Sequence, residues 1–394
     1  MLFSRIILMI LIIASGIFAS FYGGNVSYAF FYFSLMIPVI SFAYTFYVFV
    51  CFRLFQDIGQ RIVVKGDLTP YAFTLGNENY ITFRSIKVNF LHDKSIILNT
   101  DNMKEYCLLP GASETTETKL RCNYRGIYYV GASSVDITDF LYLFRITYPV
   151  QSKVSVTVLP RVVQIDRLGI VPAQKDTKNL PYYLNQPHDT MDIVTRKYQL
   201  GDSKKQIHWK ATAKRNELFS RTFIANPKSE TIIIMDLQEL KEDELTTYII
   251  EDQIIESALA ITNYLKNNNT HVSVYYEHGG LQKAEVRSKV DFDIFYQMCV
   301  SMSFHSNVTV ENILNLSRNV CMQGSFVIVL THNLTEELYY HMVALSQQGN
   351  DLALLLMRDK IDPDKESLLV DLKLAGISFR LITREDEIRE VLTS

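Results

Sequence analysis

Apolar residues are spread unevenly along this chain, and their spacing changes twice. Residues 6–22 and again 28–52 contain no charge. Each stretch is close to the roughly 20 residues that cross about 30 Å of hydrocarbon as a helix. Gly23-Gly24-Asn25-Val26-Ser27 between them is a short uncharged turn, so the pattern predicts a transmembrane helical hairpin. Pro38 falls inside the second stretch, where a membrane helix tolerates a kink. From about residue 61 to 163 the pattern becomes short runs divided by turn residues: 68–75 after Gly66-Asp67, 80–90 after Gly76-Asn77-Glu78-Asn79, then 127–130 and 154–159. With no amphipathic helix between them, these runs predict a β-sandwich. The polar stretch 174–189, set among Pro172, Pro181 and Pro187, reads as a linker.

Beyond it the period changes again. Residues 231–236 form a short apolar run of the fully buried kind, and Ile249, Ile250, Ile254, Ala258, Ile261 and Leu265 recur at helical spacing. Strand-like runs return at 272–276, 326–330, 352–356 and 378–382, with helical segments at 336–347 and 365–374. Such alternation predicts an α/β fold with a mostly parallel sheet covered by helices on both faces. The expected organisation is a hairpin at 1–56, a β-sandwich at 57–170, a linker at 171–190 and an α/β domain at 191–394.

Charge sets the expected orientation. Arg5 precedes the first span, while Arg53, Arg61 and Lys65 follow the second, which predicts a two-pass cell-membrane protein with both termini cytoplasmic. A competing reading takes Arg5, the apolar core 6–13 and Ala14-Ser15-Gly16 as a cleaved signal peptide. Apolar sequence resumes at once with Ile17-Phe18, and Arg53 would keep the body inside either way. A net charge of -3 over 394 residues excludes nucleic-acid binding by bulk charge. The five cysteines are odd in number and without a C-x-x-C pair, so neither a disulfide framework nor a zinc site is expected.

Chemistry concentrates in 196–221. Arg196, Lys197, Lys204, Lys205, Lys210, Lys214, Arg215 and Arg221 crowd a region with few acids. Gly201-Asp202-Ser203 is a turn with good helix-capping side chains, predicting a short helix from Lys204 with Ile207, Ala211 and Lys214 on one face. In a folding role, Trp209, the one tryptophan, packs on the sheet and Arg196 pairs with Asp202 or Asp192. In a functional role, the segment receives phosphate, anionic lipid or an acidic partner face. A second candidate lies at the end of the first α/β strand, where Asp236 with Glu239 could hold Mg²⁺ through water, or Asp236 could cap the following helix. There is no H-E-x-x-H, G-x-S-x-G, G-x-x-x-x-G-K-[ST] or G-x-G-x-x-G, and His208, Cys107 and Cys321 belong to no catalytic set.

The stretch also resembles the bacterial family built on domain of unknown function 58, whose signature is similar to R-x-Y-x-x-G-D-x-x-R-x-I-x-W-K-x-[ST]-A-[RK]. Arg196, Tyr198, Gly201, Asp202, Ile207, Trp209, Lys210, Thr212, Ala213 and Lys214 carry the likeness, with Lys205 where the pattern has arginine. Upstream, Arg125, Gly126, Tyr128, Tyr129 and Gly131 resemble the family's R-G-x-Y-x-x-G, and Val158-Leu-Pro-Arg161 its V-Y-P-R. Asp139-Phe-Leu-Tyr-Leu-Phe144 stands where the family has D-P-F-G-L-F, without the Pro and Gly. The resemblance implies a C-terminal half similar to the von Willebrand factor A fold, whose metal motif D-x-S-x-S is here Asp236-Leu-Gln-Glu-Leu240 without either serine. The anchor, the sandwich, the degenerate metal motif and the lack of a catalytic set point to a non-enzymatic, membrane-tethered interaction protein. The resemblance implies a MoxR-type AAA ATPase as its partner, often beside a transglutaminase-like membrane protein, in assembly or cell-envelope processes. No cofactor is expected beyond Mg²⁺ at that degenerate motif. Two alternatives stay open: a metal-assisted hydrolase using Asp236 and Glu239, or an anionic-lipid or phosphate module using 196–221.

Overall fold

A computed structural model describes residues 1–98, 104–170, 192–198, 207–215, 217–224, 231–318, 325–359 and 363–394. The linker 171–190, together with Gly201, Asp202, Lys204, Lys205 and Cys321, lies outside the described residues. The chain divides into two compact units, Met1–Arg161 and Val162–Ser394.

The first unit opens with helices α1 (Leu2–Tyr22) and α2 (Gly24–Cys51), both long and apolar enough to cross a membrane. Gly23 joins them at φ 58, a left-handed conformation suited to a residue without a Cβ. Their contact uses small polar residues. Ser15, Ser27, Ser34, Ser41 and Thr45 are buried, and the Ser15 and Ser34 hydroxyls are hydrogen-bonded at 2.8 Å, so close helix approach replaces bulky packing.

The β-rich part follows directly, since Arg53 already opens a strand. Strands β1 (Arg53–Ile58), β2 (Ile62–Val64), β3 (Leu68–Gly76), β4 (Phe83–Phe90), β5 (Ser95–Leu98), β6 (Glu105–Leu108), β7 (Ser113–Cys122), β8 (Gly126–Val130), β9 (Ala132–Thr138), β10 (Arg145–Pro149) and β11 (Val154–Leu159) form three small sheets, ordered β1-β3-β7-β5, β10-β9-β4-β6 and β2-β11-β8. Inward residues such as Tyr71, Phe73 and Leu75 on β3 and Phe83, Ile86 and Val88 on β4 meet in one core. Val48 and Phe52 belong to that same core, so the end of α2 is built into the β-rich unit. Burying two such side chains stabilises the junction by roughly 1.5–3 kcal/mol each.

Two motif segments find their reason here. Gly131, at φ 95 between β8 and β9, faces Gln56 and Tyr71; a Cβ would strike the Gln56 amide oxygen and come within 2.8 Å of the Tyr71 hydroxyl. Asp139 is fully buried and gathers the turn after β9. Its carboxylate accepts the N–H groups of Leu143 and Phe144 at 2.8 Å and of Leu141 at 3.1 Å, and the Ser41 hydroxyl donates to it from α2. The turn forms without the pattern's Pro and Gly. Tyr142 occupies the glycine's place at φ 55, and the hydrogen bonds to Asp139 hold it in that costly left-handed conformation.

The second unit contains the hairpin of β12 (Asp192–Lys197) and β13 (Phe219–Ile224), with helix α3 (Trp209–Arg215) between them. Then come β14 (Thr231–Met235), α4 (Glu244–Asn267), β15 (Val272–Glu277), β16 (Leu281–Val286), α5 (Lys289–Ser301), α6 (Val310–Arg318), β17 (Phe326–Thr331), α7 (Glu336–Gln347), β18 (Asp351–Met357), α8 (Pro363–Leu374), β19 (Ser378–Ile382) and α9 (Ile388–Thr393). The sheet runs β16-β15-β14-β17-β18-β19, parallel except for the antiparallel edge strand β16. Alternate strand residues feed two cores. Ile233, Met235, Ile328 and Leu330 face α4, α5 and α9, while Ile232, Ile234, Val327 and Val329 face α6, α7 and α8. Residues 162–170, grouped by sequence with the preceding strands, contribute Val163, Ile165, Leu168 and Ile170 to the first of these cores, and the Gly169 N–H donates to the Leu392 carbonyl at 2.7 Å. Their apolar spacing was too short to show which unit they would join.

Candidate functional site

The chain leaves β14 outward to β15 and β16, then crosses back so that β17 lies on the other side of β14. At such a reversal two connections diverge and leave a crevice beyond the carboxyl ends of the strands. A cleft of about 550 Å³ lies there, lined by Gln238 and Glu239 after β14, His332 and Asn333 after β17, Arg358 after β18, and Lys365 of α8.

Asp236 is not itself part of the lining; it is buried, 1% exposed, beside Gln238 and His332. Its Oδ1 accepts the Gln238 N–H at 3.0 Å and its Oδ2 accepts the Thr331 hydroxyl at 2.6 Å, so both oxygens are engaged within the fold. The His332 Nδ1 approaches Oδ2 to 3.3 Å without hydrogen-bond alignment. Burial pushes the His332 imidazole below its ordinary value; Asp236 pulls the other way, and Arg358 adds to the depression. The ring is therefore neutral near pH 7. Around the rim Lys365 donates to the Asn333 side-chain carbonyl at 2.8 Å, and Arg358 lies 4.0 Å from Glu242.

Two roles were open for Asp236. Helix α4 is capped by Asp243, whose carboxylate accepts the Thr246 N–H at 3.1 Å, so Asp236 does not cap it. The Mg²⁺ role asks for several free oxygen ligands. Each Asp236 oxygen already accepts one hydrogen bond, from Gln238 or Thr331, the serine positions hold Gln238 and Leu240, and Arg358 and Lys365 add positive potential to the cleft. Glu239 lines the cleft at the surface. Among the described residues no three His, Cys, Asp or Glu side chains gather as a metal would require. The lining offers a hard divalent cation the surface carboxylates Glu239 and Glu242 and opposes it with Arg358 and Lys365.

The basic segment is a separate feature, and none of its described residues lines the cleft. Arg196 sits in β12 opposite Ser220 of β13. Tyr198 follows, its N–H donating to the Leu218 carbonyl at 2.8 Å. Ile207 is buried but not helical. It bridges to Ser220, the His208 N–H donates to the Phe219 carbonyl at 2.8 Å, and α3 starts two residues later than Ile207. The Thr212 hydroxyl then accepts the Phe219 N–H at 3.1 Å, tying the helix to β13. Trp209 departs from its expected packing role. As the first residue of α3 it is 68% exposed, and Lys210, Ala213 and Lys214 are exposed with it. Lys197 pairs with Glu217 at 2.5 Å, which offsets part of the local positive charge.

Thr331, His332, Arg358 and Lys365 were not singled out from sequence. The usable signal was positional, since Thr331 and Arg358 fall at the ends of parallel strands.

No curated protein matches the chain. Solved structures that resemble part of it include the conserved hypothetical protein BatB from Bacteroides thetaiotaomicron, 14% identical over 39% of this chain and 89% of that one with a TM-score of 0.29, and an aerotolerance-related membrane protein from Bacteroides fragilis NCTC 9343 with multiple mutations to serines, 14% identical over 41% and 93% with a TM-score of 0.31. Likeness at this level carries no functional inference. By sequence, residues 194–360, which include the exposed tryptophan and the cleft lining except Lys365, match the family described as "Protein of unknown function DUF58".

Proposed function

We propose that this chain is a membrane-anchored, non-enzymatic interaction protein that presents the face around Trp209 to a MoxR-type AAA ATPase in the cytoplasm, in cell-envelope assembly. The reading takes the first unit as a hairpin-borne β-sandwich and the second as a von Willebrand factor A-like domain with its metal motif lost. One observation carries it. The only tryptophan of the chain lies 68% exposed within the family-matched region, beside exposed Lys210 and Lys214. A free indole in water has no packing value, whereas at an interface tryptophan is among the residues that contribute most binding energy. The two apolar helices support the anchor, and the occupied oxygens of Asp236 argue against metal-assisted hydrolysis. The identity of the ATPase rests on the resemblance to the family.

The test is capture of the tagged full chain from native membranes. Wild type should bring down an ATPase of this type, and Trp209→Ala should weaken capture by about tenfold or more, as loss of a hot spot worth about 2 kcal/mol implies. Recovery of no such ATPase, or equal recovery by both proteins, overturns the proposal.

A further inference from the structure

Helix α2 has 28 residues, about 42 Å of helix at 1.5 Å per residue, and so outruns a hydrocarbon layer of about 30 Å. Counted from Gly24 at the polar turn, about 20 residues span that layer, which places its far boundary near Tyr44. Two loops of the β-rich unit grip α2 at this level. In the 139–144 loop, Asp139 takes the Ser41 hydroxyl, Phe144 packs edge-on against Phe42 at 5.6 Å and Phe140 against Tyr44 at 5.4 Å, while Arg5 of α1 donates to the Leu143 carbonyl at 2.8 Å. In the 77–82 loop, the Tyr44 hydroxyl donates to the Thr82 carbonyl at 2.8 Å and the Tyr47 hydroxyl to the Asn79 side chain at 3.2 Å. Buried Asn77 binds the Ile81 and Leu109 carbonyls at 2.9 and 3.0 Å, joining this loop to the neighbouring turn.

Apart from exposed Glu78, the outward side of these loops is largely apolar. Tyr80 is 97% exposed, Leu109 63%, Ile81 43%, and Phe140 and Leu141 39% each. Such a group facing water would be a liability, but it lies at the height where aromatic and aliphatic side chains settle between headgroups and acyl chains. Arg53 and Arg84, next to α2 and to the 77–82 loop in sequence, suit anionic headgroups there.

We infer that loops 77–82 and 139–144 form a collar around α2 that is embedded in the interfacial layer of the bilayer, so that the β-rich unit rests on the membrane rather than hanging from it. The inference builds on the membrane-anchored reading. It orders the depths: Leu141, held by contacts with residues 41–44, lies deeper than Tyr80, held near Tyr47.

The test uses the full chain in phosphatidylcholine–phosphatidylglycerol vesicles, with Trp209→Phe as background and single Leu141→Trp, Tyr80→Trp or Ile10→Trp probes, read with lipids carrying quenchers at the headgroup, shallow acyl or deep acyl position. Leu141→Trp should be quenched most by the shallow label and Tyr80→Trp by the headgroup label, both with blue-shifted emission. Ile10→Trp, midway along α1, should respond to the deep label. Ile10→Trp quenched while both loop probes stay open to aqueous iodide overturns the collar and leaves the anchor standing. If Ile10→Trp also escapes lipid quenching, the anchor fails and the collar with it.

Discussion

Replacing Asp139 by alanine removes the acceptor on which the 139–144 turn and its hold on α2 depend. Three backbone N–H groups and the Ser41 hydroxyl lose their partner at a site with no exposure of its own. Hydrogen bonds to a charged group contribute about 1.5–3 kcal/mol each, but the four are not additive, and donors nearer the surface can turn to water. The Leu143 N–H, within a fully buried bond, cannot do so without moving the loop. A loss of about 3–4 kcal/mol is expected. For a unit of this size each kcal/mol lowers the melting temperature by about 2–4 °C, so the β-rich unit should melt about 10 °C lower. Asp139→Asn should fall between, because its one carbonyl oxygen can serve Leu143 and Phe144 while its amide donates to Ser41 and leaves Leu141 unsatisfied. The assay is thermal unfolding of the full chain in detergent, with the β-rich unit followed by pulse proteolysis. An alanine variant within 2 °C of wild type, or an asparagine variant no better than alanine, would refute the reasoning.

Further outcomes follow from other sites. Tyr142→Gly should be more stable than Tyr142→Ala by about 1 kcal/mol, because only glycine relieves the left-handed backbone, and chemical denaturation of the pair checks it. His332 is held neutral by burial, so its folded-state pKa lies below the unfolded value of 6.5. Above that value both states are neutral; as pH falls through it the unfolded chain binds a proton that the folded one refuses, so stability is lost on acidification. His332→Gln should therefore lose less stability than wild type between pH 7.5 and about 5.5, and equal slopes in thermal melts would contradict the buried, neutral ring. Millimolar Mg²⁺ should leave the melting temperature unchanged, since Asp236 is already satisfied; an upward shift abolished by Asp236→Asn would show the site misread.

Much of the architecture was legible because each element has its own period. Charge-free runs mark the helices that end at Tyr22 and Cys51, and the continuous apolar run at Thr231–Met235 marks a strand covered on both faces. Tertiary decisions were hidden. Nothing local tells that Val48 and Phe52 serve the β-rich core rather than lipid, or that 162–170 joins the second unit. Ile207 reads as helical by its distance from Ala211, but pairing with Ser220 across the β12–β13 hairpin takes it out of the helix. At the cleft, Asp236 was visible from its strand end, while Thr331 and Arg358 are brought beside it only by strand order, which no periodicity encodes. Trp209 was legible as the one tryptophan of the basic segment, but its exposure depends on where α3 begins.

The proposed role depends on which side of the bilayer receives the chain after α2, and a protease-cleavable tag fused after Ser394 reads this directly. Added protease should leave the tag intact in whole cells and remove it once the membrane is permeabilised. Digestion in whole cells would place both units outside, and the anchored cytoplasmic adaptor described here would be wrong.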